Sequence, residues 1–388
     1  MSNYILSNAN RFYVALEASY AQPAAVTAAN RFPAVHLQAQ QVLEGLKRQD
    51  KTGTRTFLGF SSNGRRQTAF SVRTYLTSWN GNNQPGYAPL FEAACGGTPV
   101  ASSGLIIAAV QTATQMSTTA PHALSKGSAV AFGGEIRFVT SVIDPQTITI
   151  NAPFLSPPSG SSALSPAITF PLGTVLPSVT LYDYWDPVTT ASRLLPGAAV
   201  DSLQIVVNGD YHGFSFTGPA ANLLDTVSFA PGESGLQGFP AEPALGSFDY
   251  SIVPGHLGQA WLGGADQFFT LTAANVELKN NLELRTKEYG SSYPLAVVPG
   301  PRQVGSTFTL FAQDDAQTNA IYAAAKNRTP VPAMLQLGQQ TGQLMGIYMP
   351  AVVPEIPAFD DSETRLQWQF KKNLAQGVAN DEIYIAFA

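Results

Sequence analysis

Charge is scarce in this sequence: Asp, Glu, Lys and Arg make up 12% of 388 residues, about half the usual ~25%. Disorder is not the reason, because aliphatic and aromatic residues reach 45% and supply ample material for a core. So few charges leave a surface that calls for covering, by copies of the same chain or by partners. Basic residues are outnumbered, 21 against 26 acidic ones, for a formal net charge of -5, which excludes a strongly basic nucleic-acid binder. Cysteine occurs once, at Cys95, so no internal disulfide supports the fold. Long apolar runs are missing; the longest, residues 105–110, is far too short to span a bilayer. The opening MSNYILSNANRFYVALE lacks a basic start followed by an apolar stretch, so no secretory signal is expected. The first expectation is a soluble, cytosolic chain that associates with itself.

Catalytic patterns are missing too. Residues 300–306 have the glycine spacing of a phosphate-binding loop, but Ser306 stands where the lysine is required. Neither a nucleophile elbow nor a His-Glu-x-x-His pair occurs. His36, His122, His212 and His256 are too scattered to suggest a metal site and are expected as structural histidines. Cys95 has no base nearby in sequence and is expected as a small buried residue at a helix end. Asp360-Asp361-Ser362-Glu363 is either a loop capping the next strand or a cation site, though without the spacing of an EF-hand. The expectation is no enzyme, no cofactor and no metal.

What is present is alternation. Phe70, Val72 and Tyr75 follow a turn at Asn63-Gly64; Ile136 and Phe138 alternate with Arg137 and Val139; Leu203, Ile205 and Val207 with Gln204 and Val206. Val276, Leu278, Leu282 and Leu284 lie opposite Glu277, Lys279, Glu283 and Arg285, with Asn280-Asn281 as a turn or bulge between them. Near the end, Leu366, Trp368 and Phe370, then Ile383, Ile385 and Phe387, repeat the pattern. Such runs, with 33 Gly and 28 Pro between them, predict half-buried antiparallel strands and many turns, and exclude a collagen or a coiled coil. Helices are few. Asp314 or Asp315 can cap residues 316–327, and residues 88–95 run into the stop Gly96-Gly97. Residues 35–48 fit both periods.

The chain contains itself twice. Gly64-Arg65-Arg66-Gln67 opens the strand with Phe70, before a short helix and Thr98-Pro99-Val100. Gly300-Pro301-Arg302-Gln303 opens the strand with Phe308, before a short helix and Thr329-Pro330-Val331, at offsets of 236, 238 and 231 residues. The shared order indicates duplication. Residues 111–170, rich in Ser, Thr and Pro around a strand pair, interrupt it as an insertion.

From Leu271 onward the features form a recognisable order: Asn275-Val276-Glu277-Leu278-Lys279-Asn280-Asn281, Gly290, the opener at Gly300, a helix, Met334-Leu335-Gln336-Leu337-Gly338, and a closing acidic turn and strand from Asp381 to Phe387. Earlier, Ala15-Leu16-Glu17, the Arg55 and Gly64 segment, and Ala88-Pro89-Leu90-Phe91-Glu92 running toward Gly96 agree with it. This order resembles the major tail tube proteins of long, flexible-tailed bacteriophages over most of the chain; residues 111–170 depart from it.

The resemblance implies a mainly β fold: tandem tail-tube β-sandwich modules with short flanking helices, their inner strands joining a β-barrel between subunits. The modules are expected at 1–190, including the insertion, and 191–388. Function would be structural, as stacked rings forming the hollow tube that conducts phage DNA from capsid to cell. The duplication then predicts trimeric rings with pseudo-sixfold symmetry, with true hexamers as the alternative. The implied partners are further copies of the chain, the tape measure protein and DNA in the lumen, and terminator and tip proteins at the ends, with no membrane. The implied location is the virion, after assembly in the host cytoplasm. A net negative charge suits a lumen along which phosphates slide. Glu277 and Glu283 are the candidate lumen-facing residues, and Phe70, Val72, Phe308 and Leu310 mark the candidate inter-subunit strands. The rival readings are another tail ring component, a terminator or baseplate hub, and a carbohydrate-binding adhesin. An adhesin would cluster exposed aromatics on loops, whereas Trp79, Trp185, Trp261 and Trp368 are widely spread.

Overall fold

The computed structural model describes residues 4–45, 51, 53–57, 59, 64–79, 84–188, 190–246, 248 and 250–388. Asn63, half of the expected turn, lies outside the described residues. The protein is mainly β, with two α-helices among the described residues. Along the first half run β1 (Asn10–Leu16), β2 (Ala34–Leu43), β3 (Arg66–Tyr75), α1 (Ala88–Cys95), β4 (Val179–Trp185), β5 (Arg193–Ala198), β6 (Ser202–Val207), β7 (Gly213–Ala220) and β8 (Leu224–Asp225). Along the second run β9 (Gly258–Leu262), β10 (Leu271–Lys279), β11 (Gln303–Phe311), α2 (Ala316–Asn327), β12 (Val331–Leu337), β13 (Met345–Val353), β14 (Ala358–Asp360), β15 (Gln367–Ala375) and β16 (Tyr384–Phe387).

Six antiparallel pairings in the first half, β1·β4, β4·β5, β5·β8, β2·β3, β3·β7 and β7·β6, recur in the second as β9·β12, β12·β13, β13·β16, β10·β11, β11·β15 and β15·β14. Local detail recurs as well. A bulge lies between Ala34 and His36 in β2, and another between Leu271 and Ala273 in β10. A Cβ on Gly64 would meet the carbonyl oxygen of Glu44 at 2.2 Å, and one on Gly300 that of Asn281 at 2.5 Å, which explains glycine at both strand openers. The registers put Phe308 in the place of Val72; the sequence match of Phe308 with Phe70 is two residues out.

The pairing β6·β10 joins the two sets into one long sheet of eight strands, ordered β2-β3-β7-β6-β10-β11-β15-β14. One face of it is apolar: Phe70, Val72, Leu203, Ile205, Phe214, Phe216, Val276, Leu278, Phe308 and Leu310 are all buried. A second layer covers that face. It consists of β8-β5-β4-β1 with Arg31–Phe32 on one side, and β9-β12-β13-β16 extended by Ala167–Phe170 and Val100–Ser102 on the other. This second part is continuous with the long sheet, because Val352 and Val353 of β13 pair with Ala375 and Leu374 at the end of β15, a pairing without a counterpart in the first half. Helix α1 lies in the core, with Pro89 in its first turn, where a missing N–H costs nothing, and Gly96 left-handed at its end. Its Phe91 makes edge-on contacts with Phe214, Phe216 and Phe387 at 5.1–5.3 Å. Helix α2 is capped by Asp315, whose side chain accepts from the Thr318 N–H at 2.7 Å.

The insertion is larger than a strand pair and starts earlier than residue 111. Ile107–Val110, Gln115–Thr118, Thr147–Ile150, Glu135–Asp144 and Ala129–Phe132 form a separate five-stranded sheet. Its own core holds Ile107, Met116, Val130, Val139 and Ile148. Ile136 and Phe138 pack instead with Trp261, Met334 and Tyr348 of the second layer. The expected limit at 170 is also corrected, because Ala167–Phe170 pairs with β16 and belongs to that layer. Coverage on both sides explains why Arg137 is fully buried rather than half-exposed. It meets the Glu135 carboxylate, donates to the Gln336 side-chain Oε1 at 3.1 Å, and lies 4.1 Å over the Trp261 ring; burial lowers its pKa to about 10.

The expected module boundary at 190/191 falls between β4 and β5, which are hydrogen-bonded neighbours. Residues 226–257 connect β8 to β9. That stretch packs Phe229, Leu236 and Phe239 onto Tyr13, Tyr182 and Tyr184, with an Arg11–Glu242 ion pair at 2.5 Å.

Candidate functional site

Period-two alternation fixes the chemistry of the long sheet's second face. On β3 it carries Gln67, Ser71 and Arg73, on β7 Ser215 and Thr217, and on β6 Ser202 and Gln204, all half-buried or exposed. Across the junction β10 continues with Asn275, Glu277 and Lys279, and β11 with Gln303, Thr307 and Thr309. Amides and hydroxyls dominate, and charges are few. An open hollow of about 610 Å3 lies on this face between Gln38, Ser71, Arg73, Gln204, Val206 and Ser215.

Glu277 lies on this face, and Lys279 two residues along neutralises it at 3.1 Å. Glu283 does not. It sits on the short ribbon Glu283–Leu284 with Val297–Val298, outside the long sheet. Phe70, Val72, Phe308 and Leu310 are corrected as well. Their side chains are at most 6% exposed, and β3 and β11 already have a neighbour on each side, so neither strand offers a free edge. The strands with an open edge are β2 and β14, at the two ends of the sheet, among the described residues. Exposed apolar side chains mark both: Val42 and Leu43 on β2, Ile356 and Phe359 beside or on β14. Sequence reasoning missed them because residues 35–48 fit two periods and β14 is only three residues long.

Cys95 is completely buried, and burial pushes its thiol up to about 12, far from nucleophilic. Asp360 accepts from the Ser362 N–H at 3.1 Å and from Gln369 Nε2 at 2.8 Å, so the acidic segment is a hairpin turn whose first carboxylate is occupied. Among the described residues no group of three or more His, Cys, Asp or Glu could hold a metal. His122 is held at both ring nitrogens, by the Asp144 carbonyl and the Leu124 N–H, while His36 and His256 are exposed.

His212 is buried against the Leu257 carbonyl at 3.1 Å, and burial lowers its pKa below 6.5. The folded state therefore resists a proton that the unfolded chain accepts. Stability should be full above about pH 6.5 and decline as the pH falls through it. Thermal melts from pH 7.5 to 5.5 check this: His212→Gln should flatten the decline, and an equal slope in both proteins would contradict it.

No protein-family model matches the chain, and no curated protein matches it in sequence.

Proposed function

We propose that the protein is a structural, self-assembling tube subunit of the tail-tube kind. The observation that carries this reading is the run of eight strands in the long sheet: two four-strand sets in the same order, with a free edge at β2 and at β14 among the described residues, apolar toward the core and sparsely charged on the other face. Recurrence of all six pairings, the bulge and the glycine contact supports tandem modules, which we place at β1–β8 and β9–β16. The insertion occupies the connection between α1 and β4, which Arg328-Thr329-Pro330 spans alone after α2. Inside the chain β6 hands over to β10; between chains β14 would hand over to β2. Repetition of one head-to-tail contact closes a ring.

Three chains of eight strands give a barrel of 24. At ~4.8 Å per strand and a tilt of roughly 35–45° its backbone diameter is about 45–52 Å, wide enough for a nucleic-acid duplex. A lining of amides and hydroxyls offers phosphates few cations to bind, so a polyanion passes without counterion-driven attachment. Closure also removes both open edges. An adhesin reading fares worse: Trp79 and Trp261 are buried, and Trp185 and Trp368 are half-buried. Negative-stain microscopy of the purified protein tests the proposal. Hollow tubes or rings are expected, and monodisperse single chains at high concentration would overturn it.

The insertion packs on the side of the second layer away from the long sheet, which is the outside of such a tube. Replacing residues 104–165 by a short turn should leave rings intact. It should also lower thermal stability, because Trp261, Met334 and Tyr348 lose their cover. Loss of all assembly in a still-folded deletion protein would contradict the external position.

A further inference from the structure

We infer that β14 of one copy pairs antiparallel with β2 of a second copy in a single register, with Phe359 opposite Ala39, Ala358 opposite Gln40 and Asp360 opposite Gln38. The inference rests on the ring reading above and deepens it from an arrangement to a set of residue pairs. Its template is the junction inside the chain, where Ile205 is opposite Val276, Gln204 opposite Glu277 and Val206 opposite Asn275.

Two correspondences carry the template to the free edges. The bulge after Ala34 matches the bulge after Leu271, and Gln67 and Gln303, the same residue of the two openers, are opposite Val42 and Lys279. Counting along the strands puts Gln38, Ala39 and Gln40 in the places of Asn275, Val276 and Glu277. On the other side Phe216 is opposite Val72, and Phe370 opposite Phe308, in the matching pairs β7·β3 and β15·β11. Within the hairpins Ile205 is opposite Phe214 and Phe359 opposite Trp368, so Phe359 takes the place of Ile205.

Burial gives a second argument. Ile205 and Val276 are each 1% exposed at the internal junction, whereas Phe359 is 58% exposed. Phe359 stacks on Trp368 at 5.5 Å and lies near Tyr322 of α2, so an aromatic wall is built on one side and open on the other. The neighbouring copy's β2, with Leu37 and Ala39 on its core side, supplies the missing cover. Pro354 and Pro357 lack N–H groups and limit the new ladder to a few residues. Phe359 is accordingly the anchor of the contact.

Disulfide trapping reads the register directly. In one chain β2 and β14 are seven strand spacings of ~4.8 Å apart, far beyond the ~7 Å limit between Cα atoms for a disulfide. Any bond between cysteines placed on them therefore joins two chains, and Cys95 is buried. Under mild oxidation Gln38→Cys with Asp360→Cys should give covalent dimers and trimers at least ~10-fold faster than Val42→Cys with Asp360→Cys. The pair Gln40→Cys with Ala358→Cys provides a second in-register readout should the first fail to fold. Native mass spectrometry of the same samples separates the two claims. Three-chain rings in which Val42→Cys links as fast, or in which no pair links, would overturn the register and leave the ring standing. Single chains at every concentration would overturn both.

Discussion

Phe359→Lys is expected to abolish ring and tube formation while leaving the folded monomer almost unchanged. The side chain is 58% exposed on the open edge, so the free chain tolerates the change with a loss within ~1 kcal/mol. In the proposed ring the same position would lie against β2 of the next copy, where an unpaired ammonium would cost about 3–5 kcal/mol. At ~1.4 kcal/mol per factor of ten that is at least ~100-fold in affinity at every junction, and a ring contains several. Natural sheet edges use inward-pointing lysines in the same way to block pairing. Sedimentation velocity, with circular dichroism as the folding control, provides the check. Tubes from Phe359→Lys at wild-type concentrations would place the subunit contact elsewhere.

Phe91→Ala should produce the largest loss of stability of any single change described, about 3–5 kcal/mol. Phe91 on α1 touches Phe214 and Phe216 of the long sheet, Phe170, and Phe387 from the last strand. One ring thus joins α1 to both layers and to strands from both halves of the chain. Urea unfolding should show a midpoint shifted strongly downward. A change below ~1 kcal/mol would mean that the two halves do not share this core.

Local structure was legible in the sequence wherever one physical period dominated. The alternation of Leu203, Ile205 and Val207 and of Val276 and Leu278 gave strands with the expected faces, and Asp315 and Gly96 marked helix ends by capping chemistry. The two similar strand openers were legible through Gly64 and Gly300 because close backbone approach leaves glycine no substitute. What a linear pattern does not encode is which strand lies next to which. Phe70, Val72, Phe308 and Leu310 have the apolar character of contact residues, but it serves the core, and only the pairing of β3 and β11 on both sides reveals that. Glu283 continues the alternation of Glu277, yet Asn280 ends β10, its amide held by the carbonyls of Ala94 and Val200, so the pattern runs on into a different element. Arg137 reads as solvent-facing because nothing in its neighbourhood announces Gln336 or Trp261, about 200 and 120 residues away.

The central claim is that the chain carries two equivalent modules and closes a ring through the contact it already makes internally. Cryo-microscopy of the assembled tube, with the mass of one isolated ring, tests it most directly. The account predicts three chains of 41.1 kDa per ring, threefold symmetry and a continuous inner barrel of 24 strands, eight from each chain. Six chains per ring, or a ring whose inner wall is not the long sheet, would contradict it.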